Sequence, residues 1–131
     1  MKKREDISDI EDIKLLVNTF YAKVRQDDLL ADIFNVIIEY RWPAHLEKMY
    51  RFWQTVLLKE HTYNGSPFSP HAQLPVTATH FDRWKALFFE TVDEQFSGEK
   101  AVEAKWRAKK MAEMFQMKID YYKNKEAKPL L

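Results

Sequence analysis

Ser66-Pro67-Phe68-Ser69-Pro70-His71-Ala72-Gln73-Leu74-Pro75 places two prolines ahead of one histidine and a third close behind it. Proline fixes its backbone φ and has no amide donor, so the stretch reads as a stiff loop with at most one helical turn. Ser69 can cap that turn, with Pro70 at its first position and His71 next. The imidazole is thereby held on a short, rigid element between two long helical patterns, a suitable place for a metal ligand that must not wander. Taken alone, a loop histidine is an ordinary surface residue, and what His71 means depends on the chain around it.

Working outward on the N-terminal side, Pro43 fits the first turn of a helix that carries His45, Met49, Phe52, Trp53 and Val56 on one face. Leu46 and Leu57 widen that face, and the helix is expected to end near Glu60-His61. Asn64-Gly65-Ser66-Pro67 is a turn signal. Further upstream, Ser8-Asp9-Ile10-Glu11 reads as a capping box. Behind it Ile10, Ile13, Leu16, Val17, Phe20, Tyr21 and Val24 form an apolar helical stripe, and Asp27-Asp28 ends it and caps the next helix. Leu29, Leu30, Ile33, Phe34, Ile37 and Ile38 make a short segment dense enough to be buried on more than one side.

On the C-terminal side, Thr77 or Thr79 caps a helix bearing Phe81, Trp84, Leu87, Phe88, Thr91, Val92 and Gln95, which Ser97-Gly98 breaks. A last, long helix runs from about Glu99 to about Lys123. Its inward face reads Ala104, Ala108, Met111, Phe115, Ile119 and Tyr122, with Trp106, Met114 and Tyr121 at the flanks. The polar tail 124–131 is expected to fray. The 131 residues suit one domain, 1–131, with its core over about 8–122. Only two glycines and few strand-like alternations make the expected fold all-α.

Composition removes several function classes. The formal net charge of +1 gives no electrostatic case for nucleic acid or an acidic membrane surface. The absence of cysteine excludes disulfides, thiolate zinc sites, iron–sulfur clusters and thioether-linked haem. No apolar run reaches transmembrane length and the N-terminus leads into no signal-peptide stretch, so a cytoplasmic protein is expected. The four histidines, His45, His61, His71 and His80, include no pair at the spacing of a helical zinc clip.

Individually, His45, Tyr21 and Trp84 are ordinary core or core-rim residues with a polar tip. Jointly with His71 they place a rigid loop imidazole, a helical imidazole, a phenol and an indole on inward faces of a small helical chain. A planar cofactor wants that set: a fixed nitrogen ligand on one side, and hydrogen-bond donors in an apolar pocket on the other.

At these residues the chain resembles the truncated haemoglobins, group III in particular. The resemblance runs through Phe20-Tyr21-Ala22-Lys23-Val24-Arg25, Ile33-Phe34-Asn35, and His45 through Phe52-Trp53. It continues through Tyr63-Asn64-Gly65-Ser66-Pro67, His71-x-x-Leu74-Pro75 and Phe81-x-x-Trp84-x-x-Leu87-Phe88, covering about residues 8–122. The glycine pairs of groups I and II are absent. The resemblance implies a globin-like, two-on-two helical sandwich holding haem b non-covalently, with His71 as the proximal iron ligand. It implies Tyr21, His45 and Trp84 on the distal side, and Phe34, Met49, Phe52 and Trp53 against the ring. Arg41, Tyr63, Ser66, His80 and Arg83 are candidate propionate partners. One departure is that Val76-Thr77 stands where the family form carries more proline and a large apolar residue. The turn before Trp84 is therefore expected to be built differently, and Val76 and His80 are not assigned to the pocket wall.

The implied function is binding of O₂, NO, CO or peroxide at haem iron, for redox chemistry more than bulk oxygen transport. Candidate enzyme activities are nitric oxide oxidation to nitrate, or peroxide activation with His45 as proton shuttle. An unidentified reductase would supply electrons, and the chain would be a monomer or weak oligomer. The alternative is a haem-free globin-fold sensor or interaction domain, in which the aromatic stripes are only core.

Overall fold

The structure, a computed structural model, describes residues 4–63 and 76–127, the side chains of 122 and 124–127 excepted. His71 and the rest of its proline-flanked stretch lie outside the described residues, as do the last residues of the tail. Five α-helices are described: α1 (Ile10–Val24), α2 (Ala31–Ile38), α3 (Trp42–Leu58), α4 (Ala78–Gln95) and α5 (Glu99–Ala127). A 3₁₀ turn (Glu39–Arg41) joins α2 to α3, and no strand occurs among the described residues. α1 packs on α3 and α4, α4 lies along α5, and α3 meets α5. This is the globin-like two-on-two arrangement.

The apolar stripes account for this packing. Ile13, Leu16, Val17, Phe20, Tyr21 and Val24 of α1 are all buried, as are Phe88, Thr91 and Val92 of α4. α5 buries Ala101, Ala104, Ala108, Ala112, Phe115 and Ile119. Thr91, fully enclosed, donates its hydroxyl to the Leu87 carbonyl at 2.7 Å, so its polar atom costs the core little.

Several ends differ from the expected ones. The cap of α1 is Asp9, one residue later than Ser8. Asp9 accepts from the Asp12 amide at 3.0 Å, and Asp12 in turn accepts from the Ser8 amide at 2.9 Å. α3 ends at Leu58, because Lys59 adopts a left-handed conformation with φ 59° and stops the hydrogen-bond ladder. α2 is not enclosed on several sides: Ile38 is buried, but Val36 and Ile37 are exposed. The cap position of α2 is Leu30, with no side-chain cap; Asp27, expected to cap the helix, instead closes the turn before it, its carboxylate accepting from the amides of Leu29 and Leu30, each at 3.0 Å.

The start of α5 is capped from far away in the chain. Asp6 Oδ2 accepts from the Lys100 amide and Oδ1 from the Ala101 amide, both at 2.9 Å. Gly98, with φ 143°, stands at the cap position without a side chain, and a Cβ there would lie 2.5 Å from Asp6 Cγ. The Asp6 carboxylate thus fills the place a capping side chain would occupy. Lys100 also reaches back, its Nζ donating to the Leu57 carbonyl at the end of α3 at 2.7 Å.

Candidate functional site

The helical faces converge on a crevice of about 800 Å³, its open mouth included. α1 contributes Phe20 and Tyr21, the α2 region Leu30 and Phe34, and α3 Met49, Phe52 and Trp53. Val76, His80, Phe81 and Trp84 line it from α4 and the residue run before it, and Met111, Ala112 and Phe115 from α5. Spacings of three and four on each helix explain why one face of each reaches the same space. The flat aromatic lining suits a planar, largely apolar molecule.

Aromatic rings form much of the wall and hold one another. Trp53 and Trp84 both stack on Phe88, at 5.0 Å and 5.7 Å between ring centres. Phe20 stands edge-on to Phe88 at 5.2 Å and to Trp84 at 5.5 Å. Tyr63 meets Phe52 edge-on at 5.5 Å. A hydrogen-bonded clasp fixes Tyr63 there: Thr55 Oγ1 accepts from the amides of Thr62 and Tyr63 at 3.1 and 3.0 Å. On the α4 side, Lys123 Nζ donates to the Val76 carbonyl at 2.9 Å.

Tyr21 is the exceptional residue in this apolar space. It is buried, and burial alone pushes its hydroxyl pKa above the usual tyrosine value, with no hydrogen bond contributing. Tyr21 thus places a neutral phenol on the crevice wall. Its ring is held edge-on by His45 at 5.0 Å and Trp42 at 5.8 Å. Arg25 in turn lies over Trp42 at 4.5 Å.

Of the expected site residues, Tyr21, Phe34, Met49, Phe52, Trp53 and Trp84 come together on the crevice wall. His45 does not line it. It stands behind Tyr21, half-buried against Trp42 at 5.7 Å. Val76 and His80, not assigned to the wall from sequence, both line it. His80 Nδ1 accepts from the Thr77 amide at 3.0 Å, taking the part that Glu or Gln plays in a capping box. Thr77 is the cap of α4, one of the two threonines expected there. Phe20, Leu30, Met111 and Phe115, expected from sequence only as inward-facing residues, also line it, because periodicity marks an inward face without saying which part of it borders empty space; Ala112, which the sequence did not single out, joins them.

Among the candidate rim cations, Arg83 pairs with Asp27 at 3.5 Å and Arg41 donates to the carbonyls of Ile37 and Ile38. Ser66 lies outside the described residues. The lining fits a planar tetrapyrrole: flat aromatic walls, with the Tyr21 phenol and the His80 imidazole as its polar members.

Comparison with known proteins gives a consistent picture. A family model described as bacterial-like globin matches residues 5–120. The chain is 35% identical over 116 residues to the group 3 truncated hemoglobin ctb of Campylobacter jejuni, covering 86% of this chain and 91% of that protein. The crystal structure of a group III truncated hemoglobin from Campylobacter jejuni superposes with a TM-score of 0.80 at 33% identity. That match covers 89% of this chain and 95% of the other.

Proposed function

The chain belongs to the bacterial-like globins, and from that footing we propose that it is a haem b protein binding O₂ and other diatomic ligands for redox chemistry. The single observation that carries the reading is Tyr21, a buried and neutral phenol on the wall of a largely apolar, aromatic crevice. Haem b, when bound non-covalently, would supply the iron chemistry for a diatomic ligand.

The remaining roles fall to this chain's own residues. His71 is the proposed metal ligand, its imidazole carried on the proline-flanked stretch. Phe34, Met49, Phe52, Trp53 and Trp84 pack on the ring and keep water out. Tyr21 donates its hydroxyl proton in a hydrogen bond to the partially negative end of the diatomic ligand, and the Trp84 indole N–H is a second donor. His45 and Trp42 set the Tyr21 ring angle, so the donor is oriented before the ligand arrives. Two donors over an apolar floor favour retention of O₂ for reaction with NO or peroxide over rapid delivery. The electron source is a cellular reductant of unassigned identity.

The test is spectroscopic and kinetic. Purified protein with added haem is expected to give ferric, ferrous and carbon-monoxide spectra of a histidine-ligated haem, and His71→Ala to lose the ferrous histidine-ligated form. Tyr21→Phe, which removes only the hydroxyl, is expected to speed O₂ dissociation by about tenfold or more. A protein that takes up no haem returns the chain to a haem-free sensor or interaction role. An unchanged O₂ dissociation rate in Tyr21→Phe removes the donor role.

A further inference from the structure

α5 carries apolar residues on two opposite faces. One face is the buried row Ala101, Ala104, Ala108, Ala112, Phe115 and Ile119. On the other, Val102, Trp106, Met117 and Tyr121 are 63%, 52%, 70% and 61% exposed. At about 3.6 residues per turn the second set forms a stripe directly across the helix from the first. Lys110 and Glu113 fill its centre, and Met114, 40% exposed, flanks it.

The spacing of that stripe is symmetric. Positions 102, 106, 110, 113, 117 and 121 follow steps of four, four, three, four and four, which read the same from either end. A helix face with this pattern complements itself when a second copy runs antiparallel. A two-fold axis between residues 111 and 112 sets Val102 opposite Tyr121 of the other copy, Trp106 opposite Met117 and Lys110 opposite Glu113. Lys110 and Glu113 already lie 3.8 Å apart within one chain. Across the axis each meets an opposite charge again, whereas parallel pairing would set Lys110 on Lys110 and Trp106 on Trp106.

We propose that the outer face of α5 is the interface of an antiparallel, two-fold dimer of this chain. The exposed apolar side chains amount to roughly 500 Å² per copy, in two halves either side of the Lys110–Glu113 pair, comparable to the largest and often functional patch of a typical monomer. The stems of Lys109 and Arg107 border the stripe, Arg107 lying over the Trp106 ring at 5.5 Å, and add apolar contact area to it. Trp106 is the central anchor, of the residue type that dominates such interfaces. The crevice residues of α5 lie on its opposite side, so the proposal does not depend on what fills the crevice.

Sedimentation equilibrium of the full chain over micromolar to sub-millimolar concentration tests it. The wild type is expected to reach about twice the 15.8 kDa chain mass. Trp106→Glu is expected to sediment as a monomer with unchanged helical circular dichroism, since the side chain is half out of the fold already. Lys110→Glu, which faces Glu113 of the other copy with a like charge, is expected to weaken association by at least about tenfold. Lys110→Glu combined with Glu113→Lys is expected to restore it. A monomeric wild type at the highest concentration overturns the proposal. So does a dimer that Trp106→Glu leaves intact, or a charge swap no tighter than the single variant.

Discussion

Replacing Gly98 by alanine tests how the long C-terminal helix is started. The new Cβ would lie 2.5 Å from Asp6 Cγ and 2.7 Å from its Cβ and Oδ2, closer than atoms can pack. Asp6 cannot simply swing aside, because its carboxylate is held at 2.9 Å by the amides of Ile7, Lys100 and Ala101. Alanine must also adopt φ 143°, a strain of about 1–3 kcal/mol. Displacing the cap adds about 1–2 kcal/mol. The stiffer unfolded chain returns about 0.4–1 kcal/mol. The net expected loss is roughly 3 kcal/mol, or a Tm lower by about 10 °C. Urea and thermal unfolding followed by circular dichroism measure it. Asp6→Gly removes all three clashing atoms, so on that background Gly98→Ala is expected to cost only its backbone strain. The two substitutions should then couple by about 1 kcal/mol or more. An equal cost on both backgrounds, or an unchanged Tm in Gly98→Ala, would refute the cap-and-clash reasoning.

Burial acts to raise the Asp6 pKa, but the amides of Lys100, Ala101 and Ile7 and the Lys100 charge outweigh it and hold it below 3.8. Its stabilisation is therefore complete above the ordinary carboxylate value and lost as pH falls through the lower folded one. The stability gap between wild type and Asp6→Asn, from urea titrations, is expected to be wide at neutral pH and to narrow as pH falls below the ordinary carboxylate value. Phe88→Ala empties a site only 1% exposed that carries both Trp53 and Trp84. It is expected to cost about 3–5 kcal/mol in urea unfolding, and a loss under 1 kcal/mol would contradict the ring packing. His80→Ala is expected to lower stability by about 0.5–1 kcal/mol through the α4 cap, while His80→Gln retains most of it. Equal losses in both would show that the side chain does not cap.

Much of this arrangement is readable from residue order. The three- and four-step stripes of α1 and α4 name their buried faces, and the alanine row of α5 is the close-packed face it looks like. Thr77 announces the start of α4. What escapes is whatever depends on partners distant in the chain. No local pattern ties Asp6 to Lys100, and a glycine at 98 reads as a helix breaker before it reads as room for a carboxylate. Periodicity placed His45 on the face of Met49 and Phe52, which is correct as an angle. It could not place Tyr21 and Trp42 around that imidazole, which takes His45 off the wall. The dense apolar run of α2 suggested enclosure, yet only Ile38 of that helix is buried and Val36 stands 68% exposed.

The stack of Trp53 and Trp84 on Phe88 has a thermodynamic consequence. Rings that brace one another have few rotamers left to lose, so the crevice need not be assembled around its guest. A flat molecule entering it meets a surface whose ordering entropy was spent when the chain folded. Its binding is then expected to show the negative heat-capacity change of apolar burial with no gain of helix, the signature of a preformed slot rather than of coupled folding.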